Sequence, residues 1–206
     1  MSLRSAARAT DTAFNTVAKF FVSVGKACAA YQDGALRNLK CHRLQLDEVS
    51  SFVYAKQKNV QLAKSAPPDA GDVWTWVAID AETKLVPSWR VGDRSSETSI
   101  AFTDDLALRL ANHVQITTDG HKVYLEAIEG SFRADVDYAM LVKIYGADPA
   151  ARSDIVPAEC IGAIKQRVEG NPDRSTFRQA CGAAKPHPAD AIPPLYSADK
   201  RLLEKA

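Results

Sequence analysis

Two aspartates lie in strand-like, β-branched runs, and they are the residues of this sequence best placed to do chemistry. Asp119 ends the run at residues 114–118, and Gly120 then permits a tight turn before the apolar periodicity changes from two to that of a helix. Asp47 lies within a second such run, residues 44–53. Carboxylates from two neighbouring strands would suit a hard divalent cation, because such cations prefer oxygen ligands.

Charge is distributed unevenly along a chain that is long enough to bury a core. The 206 residues are 46% hydrophobic and carry a net charge of +1, which suits one domain with appendages. Residues 1–43 hold seven Lys or Arg against two Asp, and the remainder holds 19 basic and 23 acidic residues. A basic arm on an acidic body favours a polyanion such as DNA as partner, although a solvated charged helix explains the arm as well.

The cysteines and the N-terminus exclude several classes of protein. The four cysteines form no C-x-x-C pair, so neither a zinc ribbon nor a redox motif is predicted, and free thiols in the cytoplasm are expected. Lys19 and Lys26 interrupt the apolar stretch near the N-terminus, whose spacing is helical, so a signal peptide is not predicted. No run is long enough to span a membrane, and we expect no membrane partner.

The N-terminal region is predicted to be helical. A stripe at helical spacing runs through residues 2–31 and comprises Val17, Phe20, Phe21, Val24, Cys28 and Tyr31. A short first helix would end near Asp11, and Asn15 or Thr16 would cap a second. This pair could be a helix-turn-helix with Asn15, Thr16 and Lys19 exposed, although an amphipathic helix docked on the core is the commoner explanation. Asp11 stands where a turn glycine would be more comfortable.

The body is predicted to contain five strands. The Asp47 strand and residues 73–80 and 84–91 form three antiparallel strands, with Pro87 marking an edge or a bulge. Ser95 or Ser96 caps a helix that has Glu97 in its first turn. That helix packs its apolar stripe on the sheet through Phe102, Leu106 and Leu110. The Asp119 strand, a helix over residues 122–128 and a fifth strand at 136–145 follow.

This order of elements is that of the ribonuclease H-like fold, an α/β architecture with a mixed sheet and flanking helices. The fold brings its first and fourth strands together, which would place Asp47 beside Asp119. Isolated acids at strand ends are more often caps or surface groups than metal ligands. The order of elements favours the metal site here.

Several short motifs resemble those of the DDE transposases of IS-one-like insertion elements, from about Arg4 to Gly170. The motifs are L-D-E with S-F-V at 46–53, G-D-V-W-T-W at 71–76, A-I-D at 78–80, V-G-D-R-S at 91–95 and T-T-D-G-H-x-x-Y at 117–124. The last is the most specific. The resemblance implies a ribonuclease H-like catalytic domain at 44–170 and a helix-turn-helix within residues 1–43 that reads the element's terminal repeats. It also implies Mg²⁺ or Mn²⁺ as cofactor, target DNA, homo-oligomeric assembly on DNA and a nucleoid-associated location.

The resemblance also assigns roles to individual residues. Asp47 would bridge two metal ions and Asp119 would bind one, and such ions stabilise the attacking and leaving oxygens of phosphodiester cleavage and strand transfer. His121 would lie near the phosphate or orient Asp119, although a capping or packing role is equally open. Glu48 should point to the opposite face of the strand and be structural. The residues expected to contact DNA are Arg4, Arg8, Asn15, Thr16 and Lys19.

The third acid of the family is missing from its expected place. Glu159 belongs to the P-x-x-C-I-G-like segment at 157–162, so it is not the catalytic acid. Half of the ten prolines fall within residues 171–206, which cannot continue a catalytic helix. Residues 181–205, read one base later, can spell the helix of the family. We therefore hypothesise that 171–206 is a disordered out-of-frame tail on a decayed gene copy.

Three functions remain open on the sequence. The first is a DDE transposase, made inactive by the missing acid. The second is a non-catalytic DNA-binding remnant that inhibits an intact transposase through residues 1–43. The third is a metal-dependent nuclease of the same fold with Asp135 or Asp137 as third ligand, which the position of both residues at the fifth strand disfavours.

Overall fold

The chain forms helices and one sheet, organised in two compact units. The computed structural model describes residues 2–145, 160–173 and 175. One unit is formed by described residues of Met1–Arg37 and Ser50–Val73, and the other by described residues of Asn38–Val49 and Trp74–Lys185. Most of the predicted tail and Glu159 lie outside the described residues, so the hypothesis about the tail stays a prediction.

The first unit contains the two N-terminal helices, α1 (Leu3–Ala9) and α2 (Phe14–Ala35), joined by a four-residue connection. Ser2 caps α1 by accepting a hydrogen bond from the Ser5 amide at 3.2 Å. Asp11 in the connection has a φ of 47°, so a residue that tolerates the left-handed region stands where glycine would be unstrained. The two-helix arrangement is thus confirmed.

The predicted N-cap of α2 was wrong. Its N-cap is Ala13, with no side-chain hydrogen bond, while Asn15 and Thr16 lie inside the first turn. Ala18 is the buried residue of α2, and the apolar stripe is open to solvent, with Phe21 51% and Tyr31 78% exposed. Helical spacing predicts an apolar face but does not specify what covers it.

The sheet contains six strands in the described part of the chain. They are β1 (Arg43–Val53), β2 (Gly71–Asp80), β3 (Ser88–Gly92), β4 (Val114–Asp119), β5 (Val136–Tyr145) and β6 (Cys160–Glu169), and a short helix α3 (Gln57–Val60) precedes β2. The spatial order is β3-β2-β1-β4-β5-β6. β4 runs parallel to β1 and β5, whereas β2 with β3 and β5 with β6 are antiparallel. The predicted α/β class with a mixed sheet is confirmed, and β3 lies at the edge that Pro87 indicated.

The core lies at the parallel centre of the sheet. Leu44, Leu46 and Ile116 are fully buried there, as expected for central parallel strands. The helices α4 (Ser96–Ala107) and α5 (Val123–Phe132) pack against each other and contribute Phe102, Leu106, Tyr124 and Ile128 to the core. Leu110 follows the end of α4 and packs against the core from there.

The start of α4 has the predicted cap. Ser95 Oγ accepts from the Thr98 amide at 3.3 Å, and Glu97 lies in the first turn, where the helix dipole favours an acid. No helix in the described ranges combines the length and the apolar character needed to cross a bilayer.

Candidate metal centre

The parallel pairing of β1 with β4 brings the two predicted aspartates together. Arg43 pairs with Gln115 and Gln45 with Thr117, and both pairs are 72 positions apart in the sequence. Asp47 and Asp119 have the same separation. Asp47, Glu48 and Asp119 each offer a carboxylate oxygen, and these three atoms lie within 4.8 Å of one another. The expected neighbourhood of Asp47 and Asp119 is therefore present.

Glu48 corrects an expectation. Strand alternation predicted that its side chain would stay apart from Asp47, yet its carboxylate joins the cluster. Glu48 continues the buried alternation of Leu44 and Leu46, and its side chain is only 1% exposed. Its location at the end of the β1–β4 pairing lets it reach the other two acids from the buried side.

The electrostatic surroundings of Glu48 are unusual for a carboxylate. Its Oε2 accepts a hydrogen bond from Arg94 Nη2 at 3.0 Å, but its buried Oε1 has no hydrogen-bond partner of normal geometry. Burial raises the pKa of Glu48 most strongly, and the charge of Asp119 raises it further, while Tyr124 and Arg94 oppose the shift. A buried carboxylate with one unsatisfied oxygen is costly, so the site favours an added cation.

Backbone amides orient the two aspartates. Asp47 Oδ1 accepts from the Glu48 amide at 2.9 Å, and Asp119 Oδ1 accepts from the His121 amide at 2.9 Å. Gly120 lies between Asp119 and His121. Its φ is not positive, unlike that of Gly71, so its backbone conformation does not require glycine, contrary to the expected tight turn. These amides fix the directions of both carboxylates before any ligand is present.

The His121 ring packs against two aromatic rings and accepts a hydrogen bond at the start of α5. Its ring lies 6.1 Å from the Trp76 ring and 6.3 Å from the Tyr124 ring, and Nδ1 accepts from the Val123 amide at 3.4 Å at the start of α5. Burial, followed by the charge of Arg94, lowers the pKa of His121, which favours the neutral imidazole. The hydrogen bond from His121 to Asp119 thus comes from the backbone amide.

Tyr124 is a buried polar residue that the sequence motif included without a role. It is fully buried, and its hydroxyl approaches the Glu48 carboxylate without completing a hydrogen bond of normal geometry. Burial, with a further contribution from Glu48, raises the pKa of Tyr124, so the phenol stays protonated. The Trp76 ring packs edge-on against it at 5.4 Å. Glu48 and Tyr124 therefore form a buried polar pair beneath the two aspartates, and Glu48 Oε1 and the Tyr124 hydroxyl both lack a hydrogen bond of normal geometry.

Arg94 supplies a positive charge at the rim, and the sequence prediction assigned it no role. Its guanidinium lies over the Trp74 ring at 4.6 Å while it bonds Glu48. The preceding Asp93 is held by Ser95 Oγ and Thr98 Oγ1, both at 2.6 Å. The position of Arg94 directly before a helix cap, inside the V-G-D-R-S motif, was the available sequence signal.

Formal charge supports a divalent ion at this place. In the described part of the chain, the three carboxylates and the Arg94 guanidinium together carry about two negative charges when Glu48 is ionised, and oxygen ligands of this kind suit hard divalent cations. The orphaned Glu48 Oε1 gives a second indication, independent of the number of acids. The residues present therefore fit a divalent cation held by Asp47, Glu48 and Asp119.

The proposed alternative third ligands lie elsewhere. Asp137 pairs with Gln115 across β5 and β4, whereas Asp119 pairs with Leu141. The two acids are thus four strand residues apart, about 13 Å at the usual rise per residue. Asp135 immediately precedes β5, so it lies further than Asp137 from Leu141, the residue that pairs with Asp119. Neither Asp137 nor Asp135 is therefore placed to be a third ligand beside Asp119, and the nuclease hypothesis loses the two acids named for it.

The predicted DNA-contacting residues lie on the first unit. Arg4, Arg8, Asn15, Thr16 and Lys19 are all exposed. Arg4 lies over the Phe14 ring at 5.8 Å, and Arg8 donates to Ser5 Oγ at 3.3 Å. Their exposure leaves them available to a polyanion. No protein-family model and no curated protein sequence matches this chain.

Proposed function

We propose that the chain is a DNA transposase of the DDE type by descent, with a divalent-metal site but without a complete catalytic set. The observation that carries this proposal is the cluster of Asp47, Glu48 and Asp119 at the paired ends of β1 and β4. The order β3-β2-β1-β4-β5, with β4 parallel to both neighbours, supports a ribonuclease H-like arrangement. The transposase-like motifs of the sequence supply the remaining support.

The chemistry of the site suits phosphodiester bonds. A divalent ion supplies charge stabilisation at the attacking and leaving oxygens of such a bond. Asp47, Glu48 and Asp119 would hold the ion, and the backbone amides of Glu48 and His121 keep the two aspartates in position. Arg94, partly exposed at the rim, has the planar donor group that pairs well with phosphate.

Strand transfer is proposed to be lost. The glutamate-bearing helix that the transposase family places after its fifth strand is absent from this sequence. Glu48 adds a carboxylate from β1 on the buried side, next to Tyr124. We therefore expect metal binding without joining of DNA ends.

Metal binding and DNA joining are tested separately. The purified chain is titrated with Mn²⁺ and followed by electron paramagnetic resonance, and labelled terminal-repeat DNA is incubated with target DNA in Mg²⁺ or Mn²⁺. We expect Mn²⁺ to bind and no joined product to form. Joined product from this chain would refute the loss of activity, and absence of Mn²⁺ binding would refute the metal site.

The exposed basic face of the first unit favours a second candidate, a DNA-binding remnant that inhibits an intact transposase. α1 and α2 are joined by four residues, and the five predicted DNA-contacting residues are exposed on them. A mobility shift on terminal repeats that weakens as salt rises would support this candidate, because phosphate contacts release counterions. Lys19→Glu should weaken the shift, and Lys84→Glu, a control in the other unit, should leave it unchanged.

The out-of-frame hypothesis for the tail is tested at the level of the gene. The nucleotide sequence from the Asp173 codon onward is translated in all three frames. A next frame that opens with E-R-Q-N would support a frameshift, and no such frame would refute it.

A further inference from the structure

The apolar face of α2 repeats with a seven-residue spacing. Phe14, Phe21, Cys28 and Ala35 occupy one position of the repeat, and Val17, Val24 and Tyr31 occupy the position three residues later. This is the a and d pattern of a coiled coil, sustained over three heptads. We refer to these seven residues as the α2 seam.

The α2 seam is uncovered within the described chain. Phe21, Val24, Cys28 and Tyr31 are all exposed, and the flanking Phe20 is 69% exposed. α1 covers only its beginning, where Arg4 lies over the Phe14 ring. The strip is continuous on a 22-residue helix about 33 Å long, and an exposed apolar strip of this kind marks a protein-interaction site.

Two glycines beside the α2 seam point to a closely packed partner. Gly25 and Gly34 lie in the positions that flank the seam, inside a helix that glycine weakens. A Cβ added at either one would meet nothing within 4 Å in this chain. No neighbour among the described residues explains their small size, whereas a second helix packed along the seam would need that space.

We infer that the α2 seam pairs with the α2 seam of a second copy of this chain to form a homodimer. The positions that usually select coiled-coil partners by charge carry no charge here, since they hold Ala18, Phe20, Gly25, Ala27, Gln32 and Gly34. Lys19, Lys26 and Asp33 all lie on the far side of the helix. Two identical helices can therefore approach without repulsion between like charges.

The exposed area is adequate for such a dimer. At about 200 Å² for each aromatic side chain, the exposed fractions of Phe14, Phe20, Phe21 and Tyr31 amount to about 500 Å² per copy. The valines, Cys28 and the side-chain stems at the rim add to this. A stable interface needs about 800 Å² per partner, so the α2 seam and the flanking Phe20 together supply most of it.

Pairing along the α2 seam leaves the proposed DNA-contacting residues of α2 outside the interface. Asn15, Thr16 and Lys19 occupy heptad positions away from the a and d positions. A homodimer would thus present two copies of this polar face. The inference itself rests on α2 alone and is independent of the metal centre.

The test is the mass of the full chain in solution by light scattering over a dilution series. The wild-type chain should show twice the chain mass of 22.4 kDa and dissociate on dilution. The double variant Phe21→Glu with Val24→Glu should show the single-chain mass at every concentration. The control Ser23→Glu with Ala30→Glu, on exposed positions of the outer face, should keep the double mass.

A second variant guards against loss of the helix. Phe21→Ala with Val24→Ala removes apolar area but favours helix formation, so its single-chain mass with unchanged circular dichroism would support the pairing. A wild-type chain of single mass at all concentrations would overturn the inference and leave the seam to a different partner. Seam variants that keep the double mass would overturn it as well.

Discussion

The two ends of β4 gather acidic residues in opposite ways. At its carboxyl end Asp119 meets Asp47 and the buried Glu48, whose Oε1 lacks a hydrogen-bond partner of normal geometry. At its amino end His113 contacts Asp135 through Nδ1 at 2.9 Å and Asp137 through Nε2 at 3.0 Å. One cluster is partly buried and has Arg94 as the positive partner of Glu48, while the other is exposed and contains a histidine that supplies a positive charge when it is protonated.

This difference indicates what each cluster is for. Each ring nitrogen of His113 contacts a carboxylate, and Asp137 also accepts a hydrogen bond from the Asn171 amide at 2.6 Å. The acids at that end have hydrogen-bond partners within the chain, and the contacts link the start of β5 to the residues after β6. The Glu48 cluster has a formal deficit that Arg94 only partly offsets. A buried, unsatisfied carboxylate, more than a high number of acids, therefore marks the place where an external cation would bind.

The largest expected effect separates the two clusters by metal affinity. Asp119→Asn should weaken Mn²⁺ binding by about 10–100-fold, about 1.4–2.7 kcal/mol, because it removes a charged oxygen ligand. The matched control is Asp135→Asn, which removes the same charge from the His113 cluster and should leave the affinity unchanged. Isothermal titration of both variants with Mn²⁺ measures the difference. Equal losses in the two variants would mean that Mn²⁺ responds only to total charge.

A second, smaller effect should appear in stability without metal. Arg94→Gln removes the positive partner of Glu48, and leaving a buried carboxylate unpaired should lower the free energy of unfolding by about 1–3 kcal/mol. The partial exposure of Arg94 keeps this below the cost expected for a fully buried pair. Saturating Mn²⁺ should remove most of the difference, because the ion replaces the lost positive charge. Urea unfolding in chelator and in Mn²⁺ measures both values.

The control for Arg94 is Arg43→Gln. Arg43 bonds Glu82 at 3.0 Å, the same length as the Arg94 bond, but both side chains of that pair are exposed. Its loss should cost less than about 0.5 kcal/mol, with or without metal. A cost for Arg94→Gln that Mn²⁺ does not reduce would assign the effect to lost stacking on Trp74 instead of to charge.

Much of the sheet could be predicted from the sequence, because its central strands carry clear apolar runs. The bounds of β5 were predicted correctly, Ser95 is one of the two caps predicted for α4, and the aspartate pair followed from the order of elements. β6 was missed because it is an edge strand whose described middle is mostly exposed, with Lys165 and Arg167 among the exposed residues, so its pattern lacks a buried face.

The site was predictable only in its aspartates. Alternation along β1 predicted that Glu48 points to the face opposite Asp47, but it could not show that a buried carboxylate at the strand end reaches the other two acids. The role of Arg94 depends on a contact across 46 residues of sequence, and the exposure of α2 depends on what its surroundings leave uncovered. Local pattern contains no information on either.

The smallest expected effect concerns the His113 cluster and its dependence on pH. Hydrogen bonds to Asp135 and then Asp137 raise the pKa of His113, while the Asn171 amide, and after it His113, lower the pKa of Asp137. A raised histidine pKa gives stability that is complete below about pH 6.5 and is lost as pH rises through the folded-state value. A lowered aspartate pKa gives stability that is present above about pH 4 and is lost as pH falls.

The His113 cluster should therefore stabilise the fold most between about pH 4 and 6.5. His113 is 48% exposed, so the contribution should stay below about 1 kcal/mol. Comparing urea unfolding of wild type and His113→Gln at both ends of this range and at alkaline pH should show a gap that closes as pH rises, equally with and without Mn²⁺. A gap that Mn²⁺ alters would mean that the two ends of β4 are coupled, because a cluster with its own cation should not respond to an added one.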